Sequence, residues 1–363
     1  MSNWKECKNI LVIRLDNMGD LIMNNAALQE LKFAIPDCKV TLLASEMAIP
    51  IIPFLGTVDD YMQYEAPWMK LAGQDSAEGT EVLINEIRSR QFDGCLIFNV
   101  YSQNPMAAIL LAFLAGIPRR AAYMRENPYS LLTDWIPDKE PLFQVKHQIT
   151  RDLDLLRHLG ISYASSRLPS LKNIPQMVSL NLPTAKSKRV VLNYDVSEEK
   201  RRIAVKIAQE LTQKLIDLDY QVVLIGKNDS DYLRASRQNL SSSNLINLIG
   251  MTSIADLLAL LQNSDAVITV NTAVAHIGCA LAKPTLVLYA QTNPQHIPWS
   301  QDSDFILYPV RSTMRSKNTI NTFVDKQSKP SQNMALRTDI ILQKFSVLLA
   351  NAAQQQGLVQ QAD

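Results

Sequence analysis

The segment Arg14-Leu-Asp-Asn-Met-Gly-Asp20 joins a β-branched run, KNILVIRL, to a stretch with apolar residues at helical spacing, LIMNNAALQELKFAI. A carboxylate just past a strand and at the start of a helix stands where α/β folds bind and transform ligands. Asp20 there could take a proton as a general base, and Gly19 lets a backbone come close. A single glycine makes neither a GxGxxG fingerprint nor a Walker loop. The bland reading is that Asp16 or Asp20 is a helix cap, stabilised as the anion by the helix dipole.

Three further groups could carry chemistry. Val270-Asn-Thr-Ala-Val-Ala-His276 again follows a strand and opens a helix. The N–H groups of its first turn form an anion site, and small residues let a diphosphate approach. His276 lies in the first turns of that helix; a lone His is also often packed under a sheet and bonded to a carbonyl. Glu198-Glu-Lys-Arg-Arg202 follows the first strand of the second half. Its cations could clamp a diphosphate leaving group, or form a solvated helix face. Pro294-Gln-His-Ile-Pro-Trp299 reads as a pocket wall or as a turn anchored by a buried Trp.

The elements that position these groups alternate. After the first strand and helix, KVTLLAS is a strand, 49–55 is helical, VDDYMQY is extended, EVLINEIRSRQF is an amphipathic helix and DGCLIFNV a strand. PMAAILLAFLAGI reads as a buried helix closed near Gly116 and Pro118, and QITRDLDLLRHLGI as a helix with Gly160 at its C-cap. PSLKNIPQMVSLNLPTAKSK has three prolines and little periodicity, as linkers do. The pattern then restarts. RVVLNY, QVVLIG, DAVITV and TLVLYA are strands, and LINLIG is short and extended. SEEKRRIAVKIAQELTQKLIDLD, SIADLLALLQNS (capped by Ser253 or Thr252) and TAVAHIGCALA are helices. Repeated βα units imply parallel sheets with helices on both faces, and two such sheets joined by a linker imply a cleft. The expected divisions are an N-terminal domain over 1–168, a linker over 169–188, a C-terminal domain over 189–310, and a helix with a frayed polar tail over 311–363.

Composition narrows the class. A chain of 363 residues, 47% hydrophobic, is long enough for two cores. With 36 basic and 35 acidic side chains the net charge is +1, so no global field draws it to nucleic acid. Cys7, Cys38, Cys95 and Cys279 form no CxxC pair and have no His at zinc-like spacing. No carboxylate cluster suggests a divalent metal, and no cofactor is expected. The apolar stretch 106–117 is shorter than the roughly 20 residues of a bilayer span, and 10–15 is interrupted by Asp16. The chain reads as cytoplasmic, with peripheral contact with the inner membrane left open.

The chain resembles glycosyltransferase family 9, the ADP-heptose:lipopolysaccharide heptosyltransferases. The resemblance is carried by ILVIRLDNMGDLIMNNAALQELK, AAILLAFLAGIPRRAAY, HQITRDLDLLRHLGI and LINLIGMTSIADLLALLQNSDAVITVNTAVAHIGCALAKPTLVLY, in the family's order over roughly residues 8 to 300. It implies a GT-B fold: two Rossmann-like parallel-sheet domains facing across a cleft, acceptor on the N-terminal one and nucleotide sugar on the C-terminal one. The family's base falls on Asp20. Its Asp-Thr-Gly-x-x-His stretch falls on Asn271, Thr272, Ala273 and His276, with Asn for Asp and Ala for Gly. Its usual Pro-Gly-Ala is replaced by Asn193-Tyr194-Asp195. The donor-phosphate Lys falls on Lys200, with Arg201 and Arg202 as rivals, and Lys200 and Arg202 are assigned to the donor. Asn17, Arg119 and Arg120, with Arg125, are assigned to the acceptor, although the three arginines could equally be a solvated loop.

The expected function is inverting sugar transfer from a nucleotide sugar, ADP-heptose favoured, to a lipopolysaccharide core or other cell-envelope glycan or glycolipid. Asn271 and Ala273 leave two alternatives open: a non-catalytic nucleotide-sugar-binding or scaffold protein that keeps the fold, or a transferase using another nucleotide hexose.

Overall fold

The computed structural model describes residues 3–69, 76–141, 144–161, 167–176, 182–183, 187–314, 319–320, 322–323 and 335–360. Much of the expected linker (177–181, 184–186) and of the tail (315–318, 321, 324–334, 361–363) lies outside the described residues. The chain divides into two compact units, Met1–Asn173 with Asn318–Phe323, and Ile174–Lys317 with Val324–Asp363. The division falls between Asn173 and Ile174, inside the proline-rich stretch. Ser170 and Lys172 are still bound to the first unit, through Asn25 Nδ2 to the Ser170 carbonyl (2.8 Å) and the Lys172 amide to the Phe54 carbonyl (2.8 Å).

The first unit is a six-stranded parallel sheet. Its strands are β1 (Asn9–Arg14), β2 (Lys39–Ala44), β3 (Asp60–Gln63), β4 (Gly94–Ile97), β5 (Arg119–Met124) and β6 (Asp134–Pro137), in the order β3-β2-β1-β4-β5-β6. The crossovers are α1 (Met18–Ala34), α2 (Ala77–Ser89) and α3 (Met106–Leu114), and α4 (Gln148–His158) packs on α1. β1 is buried on both faces, which is why its sequence is apolar without alternation. Leu11 and Ile13 meet Ile97, Ile109 and Ala112 in one core. The helical stretch at 49–54 is a 3-10 helix, because Pro50 and Pro53 deny it α-helical bonding. Gly160 closes α4 at φ +72°, a conformation that favours glycine.

The second unit repeats the plan with β7 (Arg189–Asn193), β8 (Gln221–Ile225), β9 (Leu245–Asn247), β10 (Ala266–Val270), β11 (Thr285–Ala290) and β12 (Ser303–Tyr308). Its order, β12-β11-β10-β7-β8-β9, is that of the first sheet read from the other edge. The helices are α5 (Val205–Asp217), α6 (Asp231–Ser236), α7 (Ile254–Gln262), α8 (Ala273–Ala280) and α9 (Thr338–Gln360). Ser253 caps α7 in a reciprocal box with Asp256. The helix expected in the tail is present, and 361–363 lie outside the described residues. α9 continues to Gln360 and buries Ile341, Phe345 and Leu348 in this unit's core, each contributing roughly 1.5–3 kcal/mol.

Three expectations are corrected. β5, β6 and β12 are strands that periodicity did not reveal. β5 opens on two arginines, and the Arg120 guanidinium is accommodated by the carbonyls of Ile117, Leu131 (2.7 Å) and Ser130 (3.0 Å). β6 and β12 are edge strands, one ending in Pro137, as edges tolerate. α3 is not fully buried, since Leu110, Phe113 and Leu114 are each more than two-fifths exposed. The long helix expected from residue 197 begins only at Val205. The Tyr308 hydroxyl donates to the Arg201 carbonyl (2.6 Å) and the Tyr232 hydroxyl to that of Ile203 (3.1 Å). Those tertiary bonds hold 199–203 as a short turn and loop instead.

α8 lies against β11 with no room to spare. A Cβ on Gly278 would stand 2.3 Å from Oγ1 and 3.2 Å from Cγ2 of Thr285, a fully buried β-branched residue. Gly278→Ala would gain about 1 kcal/mol in helix propensity, but the clash with a stiff neighbour outweighs it. The variant is expected to be less stable by about 1–3 kcal/mol, read from its urea unfolding midpoint.

Candidate active site

Both sheets change winding direction between their third and fourth strands, β1/β4 in the first and β7/β10 in the second. Ligands of doubly wound folds bind beyond the carboxyl ends of strands at such points. Asp16 and Asp20 lie at the first of these points, and Asn271 and Thr272 at the second.

In the first unit the last residue of β1 is Arg14, whose side chain is fully buried. Its three nitrogens face three carboxylates: Nε is 2.9 Å from Asp16, Nη2 is 3.6 Å from Asp20 and Nη1 is 3.7 Å from Asp152. Asp152 comes from α4 and also accepts from Asn24 Nδ2 (2.9 Å) and Gln148 Nε2 (2.7 Å). Gln103 Nε2 donates to Asp16 at 2.5 Å. Burial opposes the Arg14 charge, but the three carboxylates outweigh it and hold its pKa above the usual value. Burial, opposed by Arg14, raises Asp152.

Neither Asp caps a helix. α1 starts at Met18, the capping position belongs to Asn17, and the Asn17 side chain makes no capping bond. Asp20 is the third residue of α1, and its side chain keeps 13% of its surface exposed. Asn17 is exposed beside it, its carbonyl accepting from the amides of Asp20 (3.0 Å) and Leu21 (3.2 Å). Of the three carboxylates around Arg14, Asp20 is the most accessible, since Asp16 and Asp152 are at 6% and 2%.

The structure does not bring Arg119 and Arg120 to this group. They open β5 at the amino end of the sheet, Arg119 lying 3.6 Å from Glu6 and Arg120 bonded to backbone carbonyls and set over the Phe113 ring. Arg125, one residue past the carboxyl end of β5, is the basic residue on the right side, 5.2 Å from the Tyr101 ring centre. A second buried cation, Arg151, is held by Asp138 (2.6 Å) and Glu140 (2.9 Å) and stacks over Tyr123.

In the second unit Asn271 and Thr272 bridge the end of β10 to α8. Asn271 is buried and knits two strand ends together. Its Oδ1 accepts from the Ala290 amide (3.3 Å), and its Nδ2 donates to Thr292 Oγ1 (3.0 Å). Thr272 stands at the capping position of α8 without a side-chain cap; its Oγ1 accepts from Asn193 Nδ2 (3.0 Å), at the end of β7. Ala273 opens the helix; the Ala275 amide turns back to the Thr272 carbonyl (3.1 Å), while those of Ala273 and Val274 have no carbonyl partner within the helix. His276 is buried, and its ring stacks on Trp299 (5.2 Å, 11°), so two motifs distant in sequence meet.

The basic cluster resolves into distinct roles. Arg201 Nη1 donates to the Asn271 carbonyl (3.2 Å), and its Nη2 lies 3.0 Å from Glu198, which also holds Lys200 (3.3 Å). Arg202 instead lies over the Tyr232 ring. Arg201 is therefore the cation at the Asn271 loop, with Lys200 joined to it through Glu198. Sequence reasoning did not single out Arg14, Asp152, Gln103 or Asn193. One signal was available: Gln148, Arg151 and Asp152 share one face of α4 with the buried Leu155, where an apolar stripe is the rule.

Two six-stranded parallel sheets with ligand-type groups at both switch points define a GT-B-like α/β protein. Residues 82–325 match the family described as Glycosyltransferase family 9 (heptosyltransferase). The chain is 27% identical over 311 residues to lipopolysaccharide heptosyltransferase 2 of Escherichia coli (strain K12), covering 80% of this chain and 84% of that protein. It is 22% identical over 366 residues to lipooligosaccharide heptosyltransferase 2 of Haemophilus influenzae, covering 94% and 99%. The solved structure of E. coli ADP-heptose lps heptosyltransferase II superposes with a TM-score of 0.72 at 20% identity, over 95% of this chain and 99% of that one. The chain belongs to glycosyltransferase family 9 and is a glycosyltransferase.

Asp16 gives the first site a pH signature. Burial, opposed by Arg14 and reinforced by Asp20, pushes its pKa up to about 6, whereas an unfolded Asp titrates near about 3.9. The folded state thus holds this proton more tightly. The stabilisation is complete below the unfolded value and is lost as pH rises from about 4 to about 6. The stability of the wild type relative to Asp16→Asn should therefore fall across that interval and level off above it, as measured by urea unfolding at stepped pH. A difference that is flat or rises with pH would contradict the assignment.

Proposed function

We propose that the chain transfers heptose from ADP-heptose, with inversion at the anomeric carbon, to a hydroxyl of a lipopolysaccharide core or related cell-envelope glycan. The observation that carries this reading is Asp20: an accessible carboxylate in the first turn of α1, at the β1 switch point, facing the buried Arg14 cation. The names of the relatives support the sugar and the acceptor class, and that of the superposed structure supports the adenosine diphosphate.

In this reading Asp20 accepts the proton of the acceptor hydroxyl as its oxygen attacks the anomeric carbon, and Asn17 contacts the acceptor beside it. The bond from that carbon to the diphosphate oxygen breaks, and ADP leaves with the electron pair. Charge growing on the diphosphate is met by the amides of Ala273 and its neighbours and by Arg201 with Lys200. Arg201 Nε is buried and has no acceptor among the described residues, so a diphosphate oxygen would satisfy it. Thr272 and Ala273 form the edge the diphosphate approaches, and His276 with Trp299 forms a flat wall for the donor. Arg202, over Tyr232, supports the turn rather than the donor. No helix among the described residues is long and apolar enough to cross a membrane; an acceptor carried on a membrane would be met at the membrane surface.

Two variants separate the roles. Asp20→Asn should lower kcat by about 10²–10⁴-fold while leaving ADP binding unchanged. Arg201→Gln should weaken ADP binding about tenfold or more, the effect of one charge-assisted hydrogen bond. Turnover is followed with ADP-heptose and truncated lipopolysaccharide, and binding by calorimetry. Loss of less than about tenfold in the Asp20 variant would remove it as the base. Donor binding without turnover on any acceptor would favour the scaffold reading that Asn271 and Ala273 raise. Turnover with a UDP- or GDP-linked hexose in place of ADP-heptose would reassign the donor.

A further inference from the structure

A carboxylate that faces a buried guanidinium alone is a poor base, because the cation favours the anion over the protonated form. Arg14 does not act on Asp20 alone. Its Nη2 lies 3.6 Å from Asp20 and its Nη1 3.7 Å from Asp152. Both separations are too long for hydrogen bonds, so the cation acts on these two carboxylates through charge. Asp16, 2.9 Å from Nε, already neutralises Arg14 as an ion pair. A further enclosed carboxylate, with a side chain only 2% exposed, adds a burial cost that neutralising Arg14 does not call for.

Asp152 is built to stay ionised. Asn24 Nδ2 donates to its Oδ2 (2.9 Å) and Gln148 Nε2 to its Oδ1 (2.7 Å), so both oxygens accept. Burial raises its pKa, and Arg14, Asn24 and Gln148 oppose that rise. The spacing on both helices is one turn: Asp20 and Asn24 on α1, Gln148 and Asp152 on α4. Asn24 therefore ties the α4 carboxylate to the face of α1 that carries Asp20. Facing this cluster are Arg14 from β1, Asp16 from the loop after it, Asp20 from α1, and Asp152 and Arg151 from α4. Arg151 is itself met by Asp138 and Glu140. Asp152 is too enclosed to touch a substrate, so what it does to the reaction it does through Arg14.

We propose that Asp152 is a positioning residue for the transfer reaction: its charge, fixed across Arg14 by Asn24 and Gln148, offsets that cation at Asp20 and keeps Asp20 basic enough to take the acceptor proton. The inference rests on the reading of Asp20 as the base.

Asp152→Asn keeps the shape and removes the charge. Two carboxylates on opposite edges of one guanidinium, roughly 6–10 Å apart in an effective dielectric of about 20, shift one another's titration by about one to two pH units. The acidic limb of kcat/KM, followed with ADP-heptose and truncated lipopolysaccharide, should therefore move to lower pH by about one unit or more. The plateau kcat should fall about three- to tenfold, with ADP affinity unchanged. Asp152→Glu keeps the charge and should keep the limb. Gln148→Met withdraws one donor from Asp152 and should move the limb the same way by less, which keeps the test open if Asp152→Asn does not fold. The carboxyl 13C resonance of Asp20, identified by its loss from Asp20→Asn, gives a readout without turnover, and in Asp152→Asn it should titrate at lower pH than in the wild type. A limb that rises, or a 13C titration that does not move, overturns the proposal and leaves the base reading intact. A 13C titration that moves while the limb stays overturns the base reading itself, and the proposal with it.

Discussion

A guanidinium that water does not reach must be neutralised where it stands, because an unpaired charge in a protein interior costs several kcal/mol. Arg14 ends the central strand of the first sheet in that condition. Its neutralisation requires Asp16 from the following loop, Asp20 from the first turn of α1 and Asp152 from α4, so three segments meet around one cation. The packing of α4 on α1, the direction in which α1 leaves the sheet and the position of Asp20 all follow from that meeting. The arrangement also divides the carboxylates: two are enclosed with additional donors from Gln103, Asn24 and Gln148, and one keeps a face toward solvent.

The second unit closes its switch point by other means. Neutral side chains tie the strand ends together there, with Asn193 reaching Thr269 and Thr272 and Asn271 reaching Ala290 and Thr292. Amides cost less to bury than charges and can donate and accept at once. The result is a strand-end loop whose helix keeps its first-turn amides, with Arg201 bonded to the loop's own backbone. One topology thus presents a carboxylate in one unit and cationic and N–H groups in the other.

The position of the arginines shows where sequence reading reaches its limit. Arg119 and Arg120 lie in a segment that resembles the family, yet they start a strand rather than end it, and function in a parallel sheet gathers at the other end. Arg201 and Arg202 are neighbours, but backbone direction sends one to Asn271 and the other to Tyr232. Residue type and spacing give the charge; only the strand's course gives the end of the sheet on which it acts.

The sequence by itself determined the doubly wound class and the placement of Asp20 and of 271–276 beyond strand ends. Those follow from local patterns: apolar runs too short for helices, helical spacing after each, and polar turns between them. Tertiary structure decided what local patterns do not encode. It made β5, β6 and β12 strands by giving Arg120 carbonyl partners and by placing the other two at edges. It delayed the start of a helix to Val205 with two tyrosine hydroxyls from elsewhere in the chain. It brought Asp152 to Arg14 and Trp299 to His276, across 138 and 23 positions of sequence. The physical reason is the same each time. Buried charge and hydrogen-bonding groups must find partners, and in a parallel sheet built by crossovers those partners are distant in sequence.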